Sequence, residues 1–256
     1  MTVNFDKNTS ISHSPVYASS GAGYFFLGFS LIKLKGIRRF VFIPLAVNLL
    51  LFSLAFYYVY QRLGQYMVDL QTIVPSWLSW LNFLIWPIAV LMLLIIFSFI
   101  FSTIANWIAA PFNGLLAEKL EIMLTEHHAP SGDWLAVLKD IPRTLSREWQ
   151  KFMYYLPRAI GFFLLMWLLP VIGQVIWLLF TAWMMSIQYQ DYPFDNHKIN
   201  FIQMREKLKQ QRVQSYSFGL AVTIFSMLPI VNLIVMPVAI CGATALWIDH
   251  HRKHFL

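Results

Sequence analysis

Residues 159–190 read AIGFFLLMWLLPVIGQVIWLLFTAWMMSIQYQ, and residues 217–248 read SFGLAVTIFSMLPIVNLIVMPVAICGATALWI. The reading of these two uncharged stretches decides the fold. Each is too long for one comfortable crossing of a ~30 Å hydrocarbon core and too short for two. Each also carries a helix breaker: Leu169-Pro170-Val171-Ile172-Gly173 and Leu228-Pro229-Ile230-Val231-Asn232. Splitting there leaves arms of roughly 9–19 residues, or about 14–29 Å at the helical rise. The arms therefore read as two hairpins that enter the membrane partway and return to the same face. Broken backbone at that depth needs a covering of protein or a water-filled cavity. Interrupted segments in matching places also point to a substrate pathway. Two kinked single crossings are the competing reading.

The rest of the chain supports a membrane protein. Of 256 residues, 58% are hydrophobic and 12% charged, against about 25% charged in soluble domains. The hydrophobic content excludes a disordered chain, and Cys241, the one cysteine, excludes a disulfide scaffold. Uncharged runs also join Arg39 to Arg62 and Asp69 to Glu118. Each reads as one full spanning helix, Phe40 to Tyr60 and Ile85 to about Trp107. Tyr57, Tyr58 and Tyr60 would form an aromatic belt, as would Trp77, Trp80 and Trp86. Residues 61–76 read as a short polar loop. Residues 1–23 read as a disordered tail without the features of a cleaved signal, and residues 24–35 as a short amphipathic helix at the interface. The expected fold is an all-α integral membrane protein: two full spans, two re-entrant hairpins, and amphipathic interfacial or cytoplasmic helices. A single helical domain covers residues 24–256.

Basic residues give the orientation. The 61–76 segment has one, whereas the first 39 residues have five, 113–158 six, 191–212 five and the C-terminal tail two. Two spans followed by two returning hairpins put every basic-rich segment on the cytoplasmic side.

Patterns for catalysis or metal binding are weak. HExxH, GxSxG, P-loop and GxGxxG motifs are all absent, so no enzyme activity, cofactor or metal is expected. His127-His128 would diverge on a helix. The polar segment 191–198 reads as a structured turn, or less plausibly a metal or proton-relay site. Lys139, Arg143, Arg147 and Lys151 share a helical face, which suits either headgroup anchoring or a basic vestibule for an anion. Glu118, Glu121 and Glu148 read as ion-pair partners of Arg143, Arg147 or Arg158. Asn106, Gln174, Gln188 and Asn232 lie in apolar runs. They would line a pore or bond between helices.

The better site is Gly36-Ile37-Arg38-Arg39. Gly36 permits a sharp turn, and the helix that follows opens with N–H groups lacking intrahelical acceptors. Such a terminus attracts anions, and two guanidiniums add permanently charged planar donors. A tetrahedral dianion suits that set. An ordinary topogenic arginine pair is the plainer reading of the same residues.

Several stretches resemble the bacterial CysZ sulfate permeases: GIRRF (36–40), FSTIANWIAAPFNGLLAE (101–118), REWQKF (147–152), YPFDNHK (192–198), MPVA (236–239) and CGATA (241–245). The resemblance covers roughly residues 20–250. It implies nucleotide-independent sulfate uptake across the inner membrane for cysteine synthesis, by a homo-oligomer with two spans and two partly penetrating hairpins. It also implies that Gly36, Ile37, Arg38 and Arg39 bind sulfate. The partners expected are sulfate, the lipid bilayer and further copies of the chain, with no nucleic acid. The alternative is a non-transporting scaffold or a regulatory subunit of another transporter.

Overall fold

The computed structural model describes residues 18–73, 82–125 and 134–255, apart from some side chains within the helices. Among the described residues all regular structure is helical. The elements are α1 (Gly21–Leu31), α2 (Arg38–Ile73), α3 (Asn82–Thr125), α4 (Trp134–Leu168), α5 (Ile172–Asn196), α6 (Phe201–Gln210), α7 (Arg212–Ser226) and α8 (Pro229–Leu246). Past α8 the chain continues as a π-helical turn (Trp247–His251) and a 3₁₀ turn (Arg252–His254).

Both helix breaks fall inside the segments that the sequence marks. Between α4 and α5, Pro170 has no N–H to continue the helix. Val171 then takes φ 73° and ψ −62°, and the Ile172 N–H donates to the Pro170 carbonyl at 3.0 Å. This is a γ-turn with a β-branched residue at its centre, a strained conformation. The two helices run back antiparallel. Moving away from the turn, Phe163 meets Trp177, Phe162 and Tyr155 meet Phe180, and Arg147 meets Asp191. Between α7 and α8 the break is Met227-Leu228, and Pro229 opens α8 at a position where a missing N–H costs nothing.

Helix α1 differs from the interfacial helix expected over 24–35. It lies between α7 and α8, with Tyr24, Phe25 and Leu31 buried. Two glycines make the crossing possible. A Cβ on Gly28 would sit 2.1 Å from the Val238 carbonyl oxygen, and one on Gly242 would sit 2.4 Å from that of Tyr24. Small residues of this kind let helix backbones approach. Phe25 then packs on Phe218 and Phe225. Lys33 and Lys35, which suggested an interface, lie past the end of α1 in the turn to α2.

Helices α2 and α3 contain the two expected spans but exceed them. At 36 and 44 residues they reach ~54 and ~66 Å, well beyond a hydrocarbon core. Helix α2 continues through most of the expected 61–76 loop. Polar side chains there satisfy one another along the helix: Arg62 donates to Gln65 at 2.8 Å and lies 5.7 Å from the Tyr58 ring centroid. Polarity marks an end of burial there, not an end of helix. The outer face of α2 exposes Phe42, Leu49, Leu50, Phe52 and Phe56, a density of apolar surface that water-soluble proteins avoid. Two described segments are long and apolar enough to cross a membrane, Ile172–Asn196 and Ile234–His254.

The expected turn over 191–198 is also helical for most of its length. Helix α5 runs through Asn196 with Pro193 inside it, and Asp191 is buried. Only Lys198, at φ 57°, turns the chain toward α6. Residues 1–17 of the expected tail, His127-His128 and the side chains of Trp77, Trp80, Trp86, Asn106 and Lys139 lie outside the described residues. Ser20 already caps α1, accepting from the Gly23 N–H at 3.1 Å.

Candidate functional site

The turn between α1 and α2 builds the start of α2. Gly36 adopts φ 94°, a region closed to most side chains. Ile37 is fully buried and joins the core that holds Leu31 and Leu116, so it fixes the turn from beneath. Arg38 and Arg39 then open α2, both exposed. The Phe40 N–H is taken by the Ile37 carbonyl at 2.9 Å. Helix geometry leaves the N–H groups of Arg38 and Arg39 without intrahelical acceptors. Arg38 Nε donates to the Lys33 carbonyl at 2.8 Å, which holds the guanidinium against the turn. The Arg39 guanidinium lies 5.1 Å from the Phe40 ring centroid. Among the described residues neither arginine has a carboxylate within 4.0 Å. This is an unneutralised positive site made of two fixed-charge forks and the positive end of a helix.

The basic stripe on α4 is a different object. Arg147 grips Asp191 of α5 through Nη2 at 2.6 Å and Nε at 2.9 Å. One turn earlier, Arg143 reaches Asp195 at 2.6 Å and its carbonyl at 2.9 Å. One turn later, Lys151 pairs with Glu148 at 2.6 Å and approaches Asp191 at 3.6 Å. Three cations meet three carboxylates, so the ladder is neutral. It serves as neither anion vestibule nor headgroup anchor for Arg143, Arg147 and Lys151; it ties α4 to α5. Burial works against the Lys151 ammonium, but Tyr192, Glu148 and Asp191 outweigh it and hold its pKa above the ordinary lysine range. The ammonium lies 4.8 Å from the Tyr192 ring centroid. The Tyr192 hydroxyl accepts from Asn113 of α3 at 3.1 Å and from Gln188 at 3.4 Å.

A second junction centres on Glu121 of α3. Its carboxylate meets His197 Nε2 at 2.9 Å and accepts from Trp247 Nε1 at 3.3 Å. Arg252 Nε lies 3.2 Å away. His197 stacks on Trp247, with ring centroids 5.1 Å apart. One acidic side chain thereby joins α3, the α5–α6 turn and the C-terminal turn.

Of the acidic residues expected in ion pairs, Glu121 and Glu148 are paired, though with His197, Arg252 and Lys151 in place of the expected arginines. Glu118 is half-buried on α3. Among the described residues Arg158 has no carboxylate partner; it donates to the Tyr154 carbonyl at 2.8 Å. Gln174 and Asn232 are exposed beside the two helix breaks, whereas Gln188 sits among Glu148 and Tyr192. Among the described residues no hydrogen bond joins Gln174, Gln188 or Asn232 to Gly36–Arg39.

A family profile described as "Sulfate transporter CysZ/Etoposide-induced protein 2.4" matches residues 24–237. The sulfate transporter CysZ of Pectobacterium atrosepticum is 51% identical over 254 residues, 98% of this chain and 92% of that protein. That of Salmonella typhimurium is 51% identical over 251 residues, 96% of this chain and 99% of its own. The chain belongs to the CysZ family. This is a family of transporters, not of enzymes. In this CysZ-family chain sequence reading missed Asn113, and it missed the pairing role of Asp191, Asp195 and His197, which it placed in a turn over 191–198. Asp191 and Asp195 had a signal: their spacing of four matches that of Arg143 and Arg147, as two facing helices require. Asn113 and His197 had none, because their partners are remote in sequence.

Proposed function

We propose that this chain carries sulfate into the cell across the bacterial inner membrane, as a multi-pass channel or facilitator that hydrolyses no nucleotide, and so supplies sulfur for cysteine synthesis. In this reading residues 24–256 form one membrane domain. Helices α2 and α3 span the bilayer, and the α4–α5 and α7–α8 hairpins penetrate partway. Sulfate is held by Gly36, Ile37, Arg38 and Arg39. Ile37 and Gly36 shape the turn, and the two guanidiniums and the first N–H groups of α2 supply the donors. Gln174, Asn232 and Asn106 are pore-lining positions, and the apolar outer face of α2 is covered by lipid or by a further copy of the chain in a homo-oligomer. The observation that carries the reading is the open start of α2, with two unneutralised guanidiniums above a left-handed glycine, in a chain matched almost end to end by proteins named sulfate transporters.

The test is labelled sulfate flux in liposomes containing the purified protein alone. The wild type should conduct without ATP. Arg38→Ala with Arg39→Ala should lower the flux about tenfold, since each loses charge-assisted hydrogen bonds, with the monodisperse elution of the wild type retained. Unchanged flux in the double variant refutes the site. Absent flux in the wild type refutes transport by the chain alone and favours the regulatory-subunit reading.

A further inference from the structure

Tyr154 of α4 carries two arginines on its ring. The Arg158 guanidinium carbon lies 3.8 Å from the ring centroid and that of Arg205, from α6, lies 4.4 Å from it. Arg205 also lies 5.1 Å from the Phe201 ring centroid. Among the described residues neither guanidinium has a carboxylate within 4.0 Å, unlike Arg143 and Arg147 on the same helix. Arg205 Nε is buried with no hydrogen-bond partner. Two like charges against one ring repel, and the ring quadrupole offsets only part of that repulsion. The guanidinium N–H groups that are not committed to the ring or to the Tyr154 carbonyl can take an anion at the rim of the cluster.

The position of the pair selects the anion. Arg158 is the last charge on α4 before the uncharged run 159–190, so it stands where the chain passes from its charged zone to its apolar zone. The neighbouring side chains Tyr155, Leu156 and Ile160 are exposed and apolar. This exposed apolar surface adjoins Arg158 and suits acyl chains, and Lys209, one turn from Arg205 on α6, adds positive charge. We infer that Arg158 and Arg205, clasped on Tyr154, bind the phosphodiester headgroup of an anionic phospholipid. The inference rests on the chain being membrane-embedded, as proposed above, but not on what it transports.

The test is thermal unfolding of the purified full-length protein in detergent, titrated with dioctanoyl phosphatidylglycerol, dioctanoyl phosphatidylcholine or inorganic phosphate. The phosphatidylglycerol should raise the Tm saturably, and the other two should not. Arg158→Gln should weaken the half-saturating concentration about fivefold, as expected for one basic residue at a lipid surface. Arg158→Gln with Arg205→Gln should abolish the response. Arg205→Lys, which keeps charge but loses the planar fork, should respond weakly. Arg158 is exposed, so its single variant keeps the test decisive where the double variant does not fold. A response to phosphate equal to that to phosphatidylglycerol, or an undiminished lipid response in Arg158→Gln, overturns the inference. Sulfate flux is not part of the readout, so failure here leaves the transport reading standing.

Discussion

Replacing Asp191 by Asn should be among the most damaging single changes to this fold. The Asp191 side chain is 1% exposed and that of Arg147 is 8% exposed, so the change strands a buried guanidinium. Removing one partner of a buried pair costs about 3–5 kcal/mol. Asp195, 4.0 Å from Arg147 Nε, compensates in part, which places the expected loss near ~3 kcal/mol. Lys151 keeps Glu148 and adds little to the loss. For a chain of this size that corresponds to a fall in Tm of roughly 6–12 °C. Removing both charges should behave differently. Arg147→Met with Asp191→Leu leaves no orphan, and buried pairs replaced by apolar residues are often neutral. The assay is a thermal double-mutant cycle in detergent, repeated at low and high salt. A coupling of about 2 kcal/mol or more, insensitive to salt because the pair is shielded, is the expected result. Additive losses, or a single-variant cost below ~0.5 kcal/mol, would show that the pair is solvated and that the ladder does not bind α4 to α5.

Two further outcomes follow from backbone geometry, each read by Tm and by the yield of monodisperse protein. Gly28→Ala should fail badly because the new Cβ meets a backbone carbonyl at 2.1 Å, whereas Gly36→Ala, with nothing within 4 Å, should cost only the ~1 kcal/mol of a left-handed residue; equal losses would contradict the packing of α1 against α8. Val171→Gly should stabilise by about 1 kcal/mol by releasing the γ-turn strain at φ 73°; a loss in Tm would show that the Val171 side chain is held by contacts that outweigh the strain.

The helix breaks were legible because their signal is local: each pairs a proline with a turn-prone neighbour, Pro170 with Gly173 and Pro229 with Asn232, whereas Pro142, Pro157, Pro193 and Pro237 sit inside helices. The start of α2 was legible for the same reason: Gly36 must turn, and charges adjacent in sequence stay adjacent in space. The place of α1 was not legible. Its eleven uncharged residues suit a membrane surface and a protein interior equally. What decides between them is the fit of Gly28 against Val238, some two hundred residues away. The 61–76 segment misled in a different way, since Gln61, Arg62 and Gln65 are good helix formers and their polarity reports exposure alone. Asp191 misled because acids next to Pro193 suggest a turn, and only the facing Arg147 makes a helical, buried acid affordable.

The distribution of compensated and uncompensated charge has a functional meaning. Inside the helical core, cations meet carboxylates: Arg143 with Asp195, Arg147 with Asp191, Lys151 with Glu148. Such pairs cannot hold a dianion, because binding it would set the acids against it. Among the described residues Arg38 and Arg39 have no such competition, and they stand on an exposed turn where, on the proposed reading, sulfate would arrive and leave through water. The basic stripe on α4 was the larger positive feature in the sequence, yet it is spent internally on joining two helices. Among the described residues, the arginines at the start of α2 and on Tyr154 have no acid within 4.0 Å, one set open to water and the other beside apolar surface, while Arg62 and Arg212 bond instead to Gln65 and the Lys209 carbonyl. On the two proposed readings the same guanidinium chemistry would be directed to a soluble oxyanion in the first place and to a lipid phosphodiester in the second, and the surroundings of each pair make the difference.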